Sequence, residues 1–271
     1  ATRGAARILL PESECFASFS KLLEELQRDS WTVQQDQRPP RSTGVALSAA
    51  VSLLEAAHRN YGARIMMFLG GPCTQGPGMV VSNQKEETIR SHHDMEKDNN
   101  LCRYVKKATK FYDEYATKCV ANGHTVDLYS CALDQCGVME MAKLVNMTGG
   151  YFLIAEAFEH PTFKNSLDKS FAQDEKQNLR MGFGAQMDVL TSRKFKVCGA
   201  IGPCASLNKK TSYVGENEIG VGNTSAWRMC GLDQKTTVAL YFECTNQQGG
   251  NIPPGSMRHF QFLTRYQHPT G

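Results

Sequence analysis

A short apolar run that ends at a Gly-Gly-Pro turn is the feature that most constrains the fold. Residues 64–69 read Arg-Ile-Met-Met-Phe-Leu, which is too short for a stable helix, and glycines stand on both sides. Such a run is typical of a strand buried on both faces of a parallel sheet. Helix-periodic stretches precede and follow it, so the sequence predicts a doubly wound α/β layer.

Ligands of doubly wound sheets bind beyond the carboxyl ends of the strands, which here means Gly70–Gly76. This segment offers no acid, base or metal ligand apart from Cys73. Its backbone N–H groups could cradle a phosphate, but neither a G-x-x-x-x-G-K-[ST] nor a G-x-G-x-x-G order is present and no helix follows directly. A structured turn is the favoured interpretation, with a phosphate or magnesium site in a stand-alone α/β enzyme or ligand-binding domain as the alternative.

Residues 1–180 carry alternating helical and strand patterns, and the long helix ends at an Asn-Gly pair. Three firm parallel strands are fewer than doubly wound domains usually have, so the sequence resembles a piece of a longer chain. Ser13 is predicted to cap the first helix and Ser42 or Thr43 the second. The later helices are predicted to begin at residue 101 after an Asn100 cap, at Gly137 and at Pro161. The predicted strands are 64–69, 124–133, 151–155 and a doubtful edge strand at 6–10.

Helical periodicity stops near residue 180. Short apolar or alternating runs separated by Gly, Pro and Asn follow, a pattern that predicts an antiparallel sandwich or barrel over residues 181–271. The predicted strands are 184–190, 195–198, 212–214, 226–230, 236–244 and 260–268.

The overall charge and hydrophobicity exclude some classes of function. The formal net charge of +3 is too small to argue for wrapping nucleic acid, although an acidic partner or a weakly anionic membrane surface stays open. No apolar run approaches the ~18 residues of a membrane span, and no secretory signal is visible. The ten cysteines form no C-x-x-C pair, so buried, reduced thiols are favoured over a disulfide framework or a zinc site.

Two chemical candidates have simpler interpretations. Thr43 opens a helix much as a magnesium-binding Thr does in von Willebrand factor A domains, but the accompanying D-x-S-x-S element is absent, so an N-cap is favoured. Cys73, Cys131 and Cys136 lie beyond strand ends where a nucleophile could stand, yet no His is placed by its sequence context to serve as base. We therefore predict no catalytic residue and no metal ligand.

Residues 72–100 form a long polar stretch, which we predict to be a loop. Adjacent His92 and His93 rarely point the same way, so a contact surface for a protein partner is favoured over a metal or acid/base cluster. Solvated polar surface is the competing interpretation. The predicted contact residues are Arg90, His92, His93, Asp94, Lys97 and Asp98.

Eight longer motifs together resemble the GTPase-activating subunit of the COPII inner coat, from about residue 20 to the end of the chain. They are Leu-Gln-Arg-Asp at 26–29, Arg-Ser-Thr-Gly-Val-Ala-Leu at 41–47, Gly-Ala-Arg-Ile-Met-Met-Phe at 62–68, Thr-Gln-Gly-Pro-Gly at 74–78, Tyr-Val-Lys-Lys at 104–107, Cys-Ala-Leu-Asp-Gln at 131–135, Gly-Ala-Ile-Gly-Pro-Cys at 199–204 and Tyr-Gln-His at 266–268.

The resemblance implies that residues 1–180 are the later part of a von Willebrand factor A-like trunk and that residues 181–271 begin a β-rich domain. It implies a cytoplasmic protein, peripheral on endoplasmic reticulum exit sites and COPII vesicles. The implied partners are the cargo-binding inner-coat subunit, a Sar-type small GTPase, outer-coat subunits and, for the whole protein, the anionic membrane surface. The family's zinc finger would lie upstream and its catalytic arginine downstream, so this stretch is expected to bind partners without a cofactor and without catalysis.

Overall fold

The computed structural model describes residues 9–27, 29–97, 100–245, 255 and 257–270. Its helices are α1 (Glu12–Glu25), α2 (Thr43–Ala57), α3 (His92–Lys97), α4 (Val105–Asn122), α5 (Val138–Thr148) and α6 (Pro161–Ser170), with a 3-10 turn at Asn100–Cys102. Its strands are β1 (Ala63–Leu69), β2 (His124–Cys131), β3 (Phe152–Ala155), β4 (Met181–Thr191), β5 (Phe195–Ile201), β6 (Ala205–Ser206), β7 (Val221–Gly222), β8 (Ala226–Asp233), β9 (Ala239–Cys244) and β10 (Phe260–Gln267).

The first half is built on a parallel sheet with the order β1-β2-β3, and helices cover both of its faces. Every residue of the central strand β2 is buried, as expected for a strand that helices cover on both faces, although His124, Thr125, Asp127 and Ser130 are polar. Leu47 of α2, Tyr112 of α4 and Leu144 of α5 belong to the core on one face, whereas Phe163 of α6 packs with Tyr129 on the other. The predicted α/β layer is therefore confirmed.

The second half is a β-sandwich, as predicted. Sheet β10-β4-β8-β6 and sheet β7-β5-β9 are antiparallel. Met187 and Trp227 from the first sheet and Val197 from the second lie in one shared core, because alternate residues of each strand point inward. Trp227 is fully buried and its indole N–H donates to the carbonyl of Val221.

Polar contacts join the two halves. The Arg228 guanidinium donates to the carbonyls of Val120 and Ala121 at the end of α4, at 3.1 and 3.0 Å. These carbonyls lie in the last turn of a helix, where a cation is favourable. On the other side of the junction, the Tyr151 hydroxyl donates to Asp233 at 3.1 Å.

Residues 72–100 were predicted to form one long loop. The structure differs, because this stretch contains the helix α3. Ser91 supplies the N-terminal cap, with its N–H and hydroxyl both bonded to Asp94 at 2.7 Å. The long helix α4 begins at Val105 rather than at residue 101, since Asn100 opens a 3-10 turn instead of capping it. Its predicted end is right, with Gly123 in the left-handed conformation that closes helices.

Helix α1 forms where its periodicity predicts it, although it begins at Glu12, so Ser13 lies within the helix and does not cap it. Its apolar side is exposed. No residue of α1 is buried within the described chain, and Phe16, Phe19 and Leu22 stand in solvent. Most of the predicted edge strand 6–10 lies outside the described residues, and Leu9 and Leu10 are not in a strand.

In the β half, the predicted strand 212–214 is wrong: Val214 makes only an isolated bridge to Val197. The short strands β6 and β7 were not predicted, since two-residue strands carry no alternation to detect. Eight of the ten cysteines are buried and all ten are free thiols. None of the described helices combines the length and the hydropathy that a membrane crossing requires.

Candidate protein-interaction surface

The tip of β1 is occupied by the chain itself. The Thr74 and Gln75 N–H groups donate to the Arg41 carbonyl at 3.0 and 3.1 Å, and the Arg41 guanidinium donates to the Gly70 carbonyl at 3.0 Å. The Thr74 hydroxyl donates to the Pro39 carbonyl at 2.9 Å. Because these donors already have partners, the segment is a structured turn and does not present them to a phosphate.

The loop residues that follow this segment, Pro77 and Gly78, are also fixed by contacts within the chain. Tyr112 of α4 donates its hydroxyl to the Gly78 carbonyl at 3.0 Å. A Cβ on Gly44, in the first turn of α2, would come within 2.0 Å of the Pro77 oxygen, so helix and loop approach closely. This close approach explains why glycine is needed at the start of α2.

The chemical candidates near the strand ends serve structure. Thr43 is the first residue of α2, and Ser42 takes the N-cap position without a side-chain capping bond, which corrects the expectation that Thr43 caps the helix. Burial raises the pKa of the Cys131 and Cys136 thiols, so neither is an activated thiolate. Cys73 directs its thiol to the Arg41 carbonyl at 3.4 Å. In the described ranges, no three His, Cys, Asp or Glu side chains gather in a way that could hold a metal ion.

Arg38 ties the next part of the long stretch to the loop after β2. Its guanidinium donates to the carbonyls of Gln84 and Glu87 at 2.7 and 2.9 Å and lies 3.7 Å from the Asp134 carboxylate. Residues 84–87 and the loop after β2 therefore lie side by side at the carboxyl edge of the sheet, the edge at which sequence reasoning placed the site.

Arg90 is not on the surface, which corrects its predicted position. Its side chain is 3% exposed and pairs with Glu140 through two bonds of 3.0 and 2.5 Å, while a third N–H donates to Gln135 at 2.7 Å. A long cation in a polar stretch predicts an exposed side chain, but a buried carboxylate on α5 draws it inward. Arg90 therefore anchors the stretch and offers no atoms to a partner.

The other predicted contact residues lie mainly on α3. His92, His93 and Lys97 are exposed and Asp94 is half-buried at the cap, so the helix turns its polar residues outward. Asp98 lies outside the described residues. Whether these side chains contact a partner stays a prediction.

Sequence reasoning missed Leu133, which is 92% exposed in the loop after β2. That loop also carries Asp134 and Gln135, the partners of Arg38 and Arg90. An exposed apolar side chain on a fixed loop favours a partner that covers it, because its apolar surface is then removed from water. Its only sequence signal was the motif Cys-Ala-Leu-Asp-Gln, in which Leu133 was assigned to the end of the strand. We call residues 84–97 and 133–139 together the carboxyl-edge surface.

The fold defines a class of protein: a helix-covered parallel sheet joined to a β-sandwich. A family model described as the Sec23/Sec24 trunk domain matches residues 2–173, and one described as the Sec23/Sec24 beta-sandwich domain matches residues 182–271. The chain belongs to the Sec23/Sec24 family.

A solved structure agrees in fold. The crystal structure of the human COPII-coat protein Sec24c is similar to this chain with a TM-score of 0.60 at 17% sequence identity. The similarity covers 96% of this chain and 31% of that chain, so the present chain spans about a third of the length of that coat protein.

Proposed function

We propose that this chain is the trunk and β-sandwich part of a COPII inner-coat subunit and that it works by binding other coat proteins through the carboxyl-edge surface. The observation that carries the proposal is the exposed Leu133 on a loop fixed by Arg38 and Arg90. The Sec23/Sec24 family match supports the coat assignment, and the occupied tip of β1 argues against a phosphate site there.

The finer assignment rests on the sequence motifs. Among Sec23/Sec24 proteins, the motifs at 62–68, 131–135 and 199–204 favour the GTPase-activating subunit. We propose accordingly that the whole protein pairs with the cargo-binding subunit and activates a Sar-type GTPase, with outer-coat subunits and an anionic membrane surface as further partners. The division into domains 1–180 and 181–271 and the peripheral location at endoplasmic reticulum exit sites are part of this proposal. This stretch would bind without supplying the catalytic arginine.

Leu133→Asp tests the surface directly. The 271-residue chain is titrated by calorimetry with the cargo-binding subunit and with the GTP-loaded Sar-type GTPase, and we expect binding to at least one. The variant should weaken that binding about tenfold or more, because it places a charge where an apolar anchor would be desolvated. Met257→Asp is the matched control, since Met257 is also highly exposed but lies in the β half.

Two results would contradict the proposal. A folded chain that binds neither partner would contradict the scaffold role, and equal loss of binding in both variants would remove the surface from it. The chain alone should leave the rate of GTP hydrolysis by the Sar-type GTPase unchanged, and a clear acceleration would overturn the placement of the catalytic arginine elsewhere.

A further inference from the structure

A cavity of about 390 Å³ opens between the two halves of the chain, away from the carboxyl-edge surface. The first half contributes residues of α6 and the start of β3, and the second half contributes Met181 and the turn after β8. The volume lies within the ~300–1,000 Å³ of typical ligand sites.

The interior of the cavity is largely apolar. Phe152, Leu153 and Met181 line it together with the rings of Tyr129 and Tyr151. The polar ends of both tyrosines are already engaged, since the Tyr129 hydroxyl is 2.8 Å from the Ser170 hydroxyl and the Tyr151 hydroxyl donates to Asp233. What remains for a ligand inside is apolar and aromatic surface.

Charge around the cavity is mainly positive. Lys169, Arg180 and Lys235 all line it, and none of these three side chains forms an ion pair with another described residue. The one carboxylate there, Asp233, accepts bonds from Tyr151, from the Lys235 N–H and from the Thr236 hydroxyl. Three exposed cations therefore surround an apolar interior with one fully bonded anion.

We propose that this cavity binds an acidic peptide segment of a partner protein, with one aromatic or long aliphatic side chain inside and flanking carboxylates on the three cations. An apolar interior needs an apolar occupant, and cations that form no ion pair with a described residue favour carboxylates beside it. A bare phosphate or a lipid headgroup would satisfy the rim and leave the interior empty. The proposal goes beyond the coat function above, because neither the site nor its residues belong to the carboxyl-edge surface.

The test is an array of seven-residue peptides presented to the whole chain, with affinities then measured by fluorescence polarisation. One set has a central Phe or Leu between Glu and Asp residues, a second has Lys in place of the acids, and a third has Gly in place of the central residue. We expect binding to the first set alone. Lys169→Glu with Lys235→Glu should weaken it about tenfold or more, because charge reversal acts on both attraction and desolvation. Lys110→Glu with Lys210→Glu, the same charge change away from the cavity, should leave it unchanged.

Ala172→Trp separates the cavity from general electrostatics, because Ala172 lines the cavity and an indole would fill it without changing any charge. This variant should also lose peptide binding, with a circular dichroism spectrum like that of the parent chain. Retained binding in the filled variant would overturn the proposal. So would equal affinity for all three peptide sets, or binding of phosphatidylserine vesicles alone that the cavity reversal abolishes. The Leu133→Asp titration is independent of each of these results, so the two proposals can fail separately.

Discussion

Arg90 and Glu140 form an almost fully buried ion pair, joined by two hydrogen bonds, although they are 50 positions apart in the chain. The two bonds measure 3.0 and 2.5 Å, and the side chains are 3% and 1% exposed. The pair connects the start of α3 to the first turn of α5, where a carboxylate also suits the helix dipole. It therefore fixes the position of the surface to which we assign partner binding.

Arg90→Ala should destabilise the first half by about 3 kcal/mol, because Glu140 would be left buried without its cation. Urea unfolding followed by near-UV circular dichroism measures the change. Amide hydrogen exchange should also show lost protection in residues 84–97, since their anchor is gone.

Arg103→Ala is the control for that experiment. Arg103 pairs with Glu87 at 2.5 Å, but its side chain is more than half exposed, so its loss should change the free energy of unfolding by less than about 1 kcal/mol. Equal effects of the two substitutions would contradict the role given to the buried pair.

The sequence could predict the layers of the fold but not the burial of individual polar residues. The apolar run at 64–69 and the helical periodicity of residues 101–121 predict strand and helix because they report local patterns. Arg90 lies before α3 and its partner Glu140 lies on α5, 50 positions away in the chain, so no local sequence pattern indicates the pairing. The position of the carboxyl edge follows from the order of helices and strands, whereas the exposure of Leu133 does not, because exposure of an apolar residue depends on the path of the loop.

Helix α1 also shows that a local sequence pattern does not predict tertiary contacts. Its apolar spacing predicts a helix with a buried face, and the helix forms, yet the described chain supplies nothing that covers that face. Periodicity reveals that a helix has two different sides; it does not reveal what they contact.

A pair of substitutions tests this contrast. Leu47 of α2 is 2% exposed, so Leu47→Ala should cost about 3 kcal/mol through the cavity it leaves. Phe19 of α1 is 56% exposed, so Phe19→Ser should change the free energy of unfolding by less than about 0.5 kcal/mol. Denaturant midpoints at constant slope measure both. A large loss for Phe19→Ser would show that the apolar side of α1 is covered in solution.

Gly149 and Gly184 allow a test of the contact between the two halves. Both glycines have positive φ, at 72° and 57°, so an alanine costs roughly 1 kcal/mol of strain at either position. A Cβ on Gly149 would also come within 2.3 Å of the Gly231 carbonyl oxygen in β8, whereas one on Gly184 meets nothing within 4 Å.

Gly149→Ala should therefore be the more damaging of the two, by at least about 2 kcal/mol, because the backbone of one half must move away from the other. Thermal unfolding of both variants measures the difference. If the two alanines lower the melting temperature equally, backbone strain accounts for the effect and the close approach does not.

His124 should make the stability of the chain depend on pH. Its imidazole is fully buried, and Nε2 donates to the His58 carbonyl at 3.0 Å, because a carbonyl oxygen only accepts. Burial lowers the pKa of His124 below its usual value near 6.5. At a pH between the folded-state pKa and 6.5, His124 is therefore protonated in the unfolded chain and neutral in the folded chain. The stabilisation that comes from the neutral imidazole is thus fully present above pH 6.5 and is lost as pH falls toward the folded-state pKa, by at most about 1.4 kcal/mol per pH unit.

Urea unfolding at pH 7.5 and 5.5 measures this effect. On acidification, the free energy of unfolding should fall less for His124→Gln than for the parent chain. His93→Gln, at an exposed position, should show the same pH dependence as the parent chain. Identical slopes in all three chains would mean that His124 takes up its proton equally in the folded and unfolded states.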